Sequence, residues 1–265
     1  MKKILITGAA GRIGKAVRYG LRAYDFQLTS CDIIPLQDAQ ANERLLSFDI
    51  QDLEQVKKAM QGIDCVIHLA AIPTEDSWEH ILPANIVGTY NIFEAARQAK
   101  VKRVIFASTN RVISFYRKEK IIGTEVPLRP DGLYGVSKIF GETLGRLYAD
   151  KYGLSVACLR IGSFEEKPRE PRHVYTWISP RDMVQLVYRC IVTPDYHYIV
   201  VYGLSANEGN LWQDNAAEII GYHPVDKGED FADAVKDQPD DPIARQFHGG
   251  KFCAHDFTGD SSKID

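Results

Sequence analysis

The run Thr7-Gly8-Ala9-Ala10-Gly11-Arg12-Ile13-Gly14 follows a short apolar stretch, Ile4-Leu5-Ile6, and opens directly into a helical pattern. Its three glycines form a GxxGxxG arrangement. Glycine permits a tight turn and lets backbone approach a pyrophosphate closely. The helix N-terminus beyond it supplies unsatisfied N–H groups and a favourable dipole for that anion. A glycine triplet alone is a weak signal, but Asp32 ends the second apolar run, 21 residues after Gly11. An acidic side chain there accepts hydrogen bonds from both ribose hydroxyls and repels a 2′-phosphate. The pattern predicts a dinucleotide held by Gly8, Ala10, Gly11, Arg12, Ile13 and Asp32, and NAD rather than NADP. Arg12 pulls the other way, since a basic side chain near the ribose helps hold a 2′-phosphate, but Asp32 weighs more. No Lys-Ser/Thr pair follows the last glycine, so the run is not a Walker A loop.

The chain continues as alternating short apolar runs and longer helical patterns. Strands are expected at Lys3–Thr7, Gln27–Cys31, Leu45–Phe48, Asp64–Leu69, Arg103–Ala107 and Ser155–Arg160. Helices are expected at Gly14–Ala23, Asp52–Met60, Glu79–Lys100 (interrupted around Pro83) and Tyr134–Lys151. Strands alternating with helices imply βαβ units, hence an α/β, Rossmann-type doubly wound parallel sheet with helices on both faces. Ligands bind such a sheet beyond the carboxyl ends of its strands, where strand order reverses. Asp49-Ile50 follows the third strand and is placed to flank an adenine. Leu69, Ala70 and Ala71 end the fourth strand with small residues, where backbone can pass close to a nicotinamide ribose. After Arg160 the character shifts, with a charged, proline-bearing loop at Glu165–Pro171. Helices are expected at Arg181–Val192 and Asp214–Ile220, with a strand at Tyr198–Val201. The expected division is a dinucleotide-binding domain at 1–163 and a small C-terminal substrate lobe at 164–265, not an independent domain.

The composition, 45% hydrophobic and 25% charged with net charge −3, is ordinary for a globular protein. There is no basic excess or Lys/Arg run, so no nucleic-acid partner is expected. No stretch approaches the ~20 apolar residues needed to cross a bilayer, and no membrane partner is expected. The five cysteines lack CxxC spacing. They read as buried free thiols in a reducing cytosol, and the expected location is cytoplasmic. The histidines form no HxxxH or HExxH pattern, and no metal is expected. His68, inside an apolar run, reads as a buried, hydrogen-bonded core histidine.

Tyr134-Gly135-Val136-Ser137-Lys138 sets a phenol and an ammonium four residues apart, on one face of a helix. A free tyrosine, with a pKa of about 10, is a poor base at neutral pH. A cation one turn away favours the phenolate and lowers that pKa. Such a Tyr can exchange a proton with a sugar or alcohol hydroxyl. Ala107-Ser108-Thr109-Asn110 ends the preceding strand. It is either a strand-end turn or a source of a hydroxyl facing the Tyr134 helix.

In this order, the glycine turn, Asp32, Asp49, Leu69-Ala70-Ala71, Asn85, Ser108-Thr109 and Tyr134/Lys138 resemble the extended short-chain dehydrogenase/reductase superfamily, over roughly residues 1–165. The resemblance implies that Tyr134 is the acid/base and that Lys138 binds the nicotinamide ribose and lowers the Tyr134 pKa. It also implies that Thr109 hydrogen-bonds the reacting oxygen and that Asn85 belongs to the cofactor set. A narrower resemblance spans almost the whole chain. Arg129-Pro130-Asp131-Gly132-Leu133 before the Tyr, Phe140-Gly141-Glu142, Arg160-Ile161-Gly162-Ser163, Thr176-Trp177-Ile178-Ser179, Gly203-Leu204-Ser205-Ala206-Asn207 and Phe247-His248-Gly249-Gly250-Lys251-Phe252 are similar to uronate dehydrogenases. These enzymes oxidise C1 of cyclic galacturonate or glucuronate with NAD, giving an aldaro-lactone. The resemblance implies that Asn110 and Ser163 bind the sugar and that Arg172 holds the substrate carboxylate through a planar guanidinium. Pro73 stands where the family has a sugar-binding serine, Thr109 replaces a serine, and Arg111 replaces a histidine. The departures at Pro73 and Arg111 keep a sugar-phosphate or neutral-aldose dehydrogenase open as the alternative. A nucleotide-sugar epimerase or dehydratase is less favoured, because those enzymes carry a larger lobe. A redox-sensing binding module is less favoured still, because both Tyr134 and Lys138 are present. A homo-oligomer is possible, through the Glu79–Lys100 and Tyr134–Lys151 helices.

Overall fold

In the computed structural model, which describes residues 1–236 and 241–265, the glycine turn sits where the chain leaves an interior strand of a parallel sheet. In chain order the elements begin β1 (Lys2–Thr7), α1 (Arg12–Leu21), β2 (Phe26–Asp32), β3 (Glu43–Ser47), α2 (Leu53–Ala59) and β4 (Cys65–His68). Next come α3 (Trp78–Ile81), a wide π-helical turn at Leu82–Val87, α4 (Gly88–Gln98), β5 (Arg103–Thr109) and α5 (Leu133–Tyr152). The remainder is β6 (Ser155–Ile161), β7 (Ser163–Phe164), α6 (His173–Thr176), β8 (Trp177–Ile178), α7 (Pro180–Val192), β9 (Tyr198–Gly203), α8 (Ala216–Ile220), α9 (Ala232–Val235) and α10 (Lys251–Ala254). The main sheet has the order β3-β2-β1-β4-β5-β6-β9, with every pairing parallel.

Strand side chains alternate between two faces, so each face needs its own helical layer. On one face Ile4, Ile6, Ile67 and Ile105 pack with Val17 and Leu21 of α1 and Met183, Leu186 and Val187 of α7. On the other, Leu5, Val66, Val104 and Phe106 pack with Val56 of α2, Ile92, Phe93 and Ala96 of α4, and Tyr148 and Ala149 of α5. Strand order reverses between β1 and β4, which places the glycine turn and the loop after β4 side by side at the carboxyl edge.

The structure departs from the sequence expectations in three ways that bear on the site. First, β5 runs through Ser108 and Thr109, which are strand residues rather than a turn after Ala107. Second, the interruption around Pro83 is a π-helical turn, so α3 and α4 continue through it. Pro83 has no N–H to donate, and a wider turn accommodates that without a break. Third, β9 is the sheet's last strand and α7 packs on the same face as α1, so the sheet layer draws on residues on both sides of 163. The five cysteines are all buried and unpaired.

Candidate active site

The glycine turn is shaped by what its neighbours leave room for. Gly8 has φ +70, and a Cβ on it would fall 2.6 Å from the Ala70 nitrogen. A Cβ on Gly14 would fall 2.1 Å from the Gly8 oxygen. The turn and the β4 loop therefore touch through bare backbone, and the Ala70 N–H donates to Thr7 Oγ1 at 3.3 Å. Gly11 caps α1 without a side-chain acceptor, so the first-turn N–H groups, among them those of Arg12 and Ile13, have no capping side chain. Asp32 closes the other side. Its Oδ2 accepts from the Ala10 N–H at 2.9 Å and its Oδ1 from the Ile34 N–H at 3.1 Å. A cavity of about 250 Å³ opens beside it, lined by Ala10, Lys15, Ile34, Pro35 and Gln37 among others. Arg12 points elsewhere: it pairs with Glu165 at 2.6 Å.

The other expected cofactor residues fall into two groups. Leu69, Ala70 and Ala71 follow β4 directly at the carboxyl edge of the sheet, the strand itself ending at His68. Asp49 accepts from the Gln51 N–H at 2.9 Å, and Ile50 is buried against Gly88 at the start of α4, with its carbonyl accepting from Asn91 Nδ2. Asn85 is 1% exposed and its side chain is fully used. Its Oδ1 accepts from the Ile72 N–H at 2.8 Å, and its Nδ2 donates to the Ile72 carbonyl and to Ser137 Oγ. Here it ties the β4 loop to α5.

His68 is the core histidine expected of it, bridging Thr7 and Thr89 through its two ring nitrogens at 2.8 and 3.2 Å. Burial, reinforced by the Lys138 charge, takes its pKa down to about 3.

Tyr134 and Lys138 lie on the inner face of α5, both buried. The Lys138 ammonium nitrogen is 5.7 Å from the Tyr134 ring centroid and 5.1 Å from that of Phe106. Burial pushes the phenol up to about 12, while the Thr109 hydroxyl and the Arg111 charge pull it back and Asp131 opposes them. Burial pushes Lys138 down to about 7. Arg111 is thus a cation acting on the phenol that the Tyr134/Lys138 spacing does not announce. Burial disfavours the charged form of the Lys138 ammonium, whereas Arg111 is ion-paired with two carboxylates. Its guanidinium is 2.7 Å from Asp131 Oδ1 and 3.2 Å from Glu75 Oε2. It lies 5.1 Å from the Tyr134 ring and 4.4 Å from that of Phe252. Arg111, which replaces the family's histidine, is therefore already paired with two carboxylates of the chain.

Thr109 ends β5 facing α5, and its Oγ1 also accepts from the Arg111 N–H at 3.2 Å. Asn110 is buried, and its Nδ2 has no hydrogen-bond partner. Arg172 leaves the loop before α6. Its Nε donates to the His248 carbonyl at 2.9 Å and its Nη1 to Ser163 Oγ at 3.4 Å, while its buried Nη2 has no partner. Arg172 also faces the Phe252 ring, 5.8 Å away, so both arginines converge on one aromatic side chain. Burial lowers its pKa. Buried polar groups are nearly always paired, so each of these two orphaned donors is a candidate contact for a polar ligand group. Pro73 is exposed on the loop that carries Glu75. A cavity of about 500 Å³ opens beside that loop, lined by Thr74, Glu75, Arg111, Asp131, Lys251 and Phe252 among others.

Sequence reasoning missed Glu75 and gave Asp131 and Phe252 no role. Loop acids of this kind carry no spacing signal, because their partners lie far away in the chain. Only the preceding Pro73-Thr74 and the following Pro130-Asp131-Gly132 run offered a hint.

Comparisons with known proteins show what the whole chain is similar to. The profile of the NAD dependent epimerase/dehydratase family matches residues 4–190. A uronate dehydrogenase of Pseudomonas putida is 40% identical over 256 residues, covering 95% of each chain. An NAD-dependent glucose-6-phosphate dehydrogenase of Haloferax volcanii is 37% identical over 86% of this chain and 95% of its own. A crystal structure of a uronate dehydrogenase from Agrobacterium tumefaciens complexed with NAD superposes with a TM-score of 0.91 at 39% identity, over 96% of this chain and 97% of that one. The seven-stranded sheet, the glycine turn at its switch point and the Tyr134/Lys138 helix are thus the parts of a known architecture, and the chain belongs to the NAD dependent epimerase/dehydratase family.

Proposed function

We infer that this chain oxidises C1 of a cyclic hexuronate, glucuronate or galacturonate, to the aldaro-lactone with NAD. The observation that carries the reading is the buried Tyr134 phenol hydrogen-bonded to Thr109, together with Asn110 Nδ2 and Arg172 Nη2, which have no partner among the described residues. The residues present fit the cofactor. The Gly8–Gly14 turn, whose close backbone packing a Cβ on Gly8 or Gly14 would break, takes the pyrophosphate, and Asp32 takes the adenosine ribose hydroxyls. Lys138 and the Leu69–Ala71 backbone take the nicotinamide ribose. Bound NAD supplies the acceptor for the C1 hydride.

The chain's own residues do the rest. Tyr134 removes the proton of the anomeric hydroxyl as C1 becomes a carbonyl carbon. Thr109 orients that hydroxyl, and the positive charges of Arg111 and Lys138 face the ring on which the phenolate forms. Asn110 and Ser163 bind sugar hydroxyls. Arg172 closes its fork on the carboxylate with the nitrogen that has no partner in the protein. Acid–base catalysis of this kind contributes about 10²–10⁴-fold, and positioning supplies much of the remainder.

The similarity to the glucose-6-phosphate dehydrogenase supports a second reading, a sugar-phosphate substrate. It is less favoured, because the two carboxylates on Arg111 leave Arg172 as the cation free to take an anion. A side-by-side assay of NAD reduction with glucuronate, galacturonate, glucose and glucose 6-phosphate decides. Highest kcat/KM on a uronate supports the reading, and preference for glucose 6-phosphate overturns it.

A further inference from the structure

The catalytic helix is capped from outside. Gly132, the residue before α5, has no side chain to satisfy the first-turn N–H groups. Glu75 reaches across from the β4 loop, 58 residues earlier, to do so. Its Oε1 accepts from the Leu133 N–H at 2.7 Å, and its Oε2 accepts from the N–H of Tyr134 itself at 3.1 Å. The same Oε2 accepts from Arg111 Nη2 at 3.2 Å. The site is fitted to this carboxylate. Gly132 has an extended backbone that any residue can adopt (φ −174), yet a Cβ there would fall 2.2 Å from Glu75 Oε2. A second tie runs in parallel: Asn85 holds Ile72 of the same loop and donates to Ser137 Oγ, which donates to the Tyr134 carbonyl at 2.7 Å. The loop after β4 is therefore fastened to both the N–H and, through Ser137, the C=O of Tyr134.

We propose that Glu75 is a positioning residue for the base. It caps the catalytic helix at Tyr134 and holds Arg111 against the Tyr134 ring, so that the β4 loop sets where the phenol stands. This rests on the reading of Tyr134 as the proton acceptor. Glu75 touches neither the sugar C1 nor its hydroxyl, and it acts through Tyr134 and Arg111. The charged and titratable groups around the phenol are Lys138 on its own helix, Arg111 after β5, Asp131 before α5 and Glu75 on the β4 loop, with His68 neutral behind Lys138. Removing the Glu75 charge leaves Arg111 less neutralised, favours the phenolate and moves the acid limb of activity to lower pH.

The test compares Glu75→Ala, Glu75→Gln and Gly132→Ala with the unaltered protein, each with NAD and its best sugar. The readouts are kcat, KM, the pH profile, NAD affinity and melting temperature. An ångström of misplacement costs about 10²-fold, so Glu75→Ala is expected to lower kcat by about that factor. Glu75→Gln, which keeps an acceptor oxygen, falls between and shifts the acid limb down in pH. Gly132→Ala displaces the carboxylate without removing it, and lowers kcat with no such pH shift. NAD affinity stays unchanged in all three. Wild-type kcat in Glu75→Ala and Gly132→Ala, or a loss that appears only in melting temperature, overturns the proposal. If the unaltered protein ignores uronates but turns over another sugar, the substrate reading fails and Glu75 is still scored on that sugar. If it oxidises uronates and the variants match it, the Glu75 proposal alone fails.

Discussion

Replacing Arg172 by alanine removes a buried guanidinium nitrogen that has no hydrogen-bond partner among the described residues. The size of the effect follows from how the side chain is held. Nε is committed to the His248 carbonyl at 2.9 Å, and Nη1 makes a long, 3.4 Å contact with Ser163 Oγ. A carboxylate therefore gains one new charge-assisted hydrogen bond at Nη2 and improves a weak one at Nη1. Together these amount to roughly 2–4 kcal/mol, or about 30- to 10³-fold in kcat/KM. A neutral aldose makes no such bonds and loses only the packing of the arginine stem. Arg172→Lys keeps the charge but not the fork, so it recovers only part of the loss. The assay is steady-state NAD reduction by Arg172→Ala and Arg172→Lys on glucuronate and on glucose, with melting temperature as the fold control. Equal losses on the acid and the neutral sugar would refute the reasoning.

Three further outcomes are expected. Tyr134→Phe abolishes turnover while NAD binding, followed by titration, stays near wild type, and retained turnover removes the base assignment. Asp32→Ala weakens NAD, by about tenfold or more on the loss of charge-assisted bonds to the ribose. It also narrows the NAD-to-NADP ratio, and an unchanged ratio rules out Asp32 as the selector. His68 is held neutral by burial, its pKa about 3 against an ordinary 6.5. The unfolded chain therefore binds the extra proton first, and stability falls as pH drops from 6.5 towards 3, by up to about 1.4 kcal/mol per pH unit. A His68→Gln variant has a shallower decline of melting temperature over that window, and an identical decline removes His68 as its source.

Much of this architecture is legible in the sequence because it is local. Gly8, Gly11 and Gly14 sit between a strand and a helix, and Asp32 ends the next strand, so the switch point could be placed without coordinates. Tyr134 and Lys138 share a helical face by spacing alone. The illegible parts depend on distant residues meeting. That Thr109 lies within β5, and that the chain passes Pro83 in a wide turn, follows from packing against α5 and the sheet. Tyr198–Gly203 joins the main sheet because β6 offers it an edge, which no local pattern announces. Arg111 reads as a free cation until Asp131 and Glu75 are seen on it, 20 and 36 residues away in the chain. Glu75 itself is one acidic loop residue among many until the empty cap at Gly132 shows what it serves.

The central claim, that Tyr134 serves an NAD-linked oxidation at C1 of a hexuronate, is tested most directly by glucuronate deuterated at C1. The protein is incubated with it and NAD, and the reduced cofactor and sugar product are analysed by mass spectrometry and NMR. The deuterium is expected to move to the reduced cofactor, with the aldaro-lactone as the product. Deuterium retained in the sugar, with the cofactor still oxidised or reduced without label, would contradict the claim.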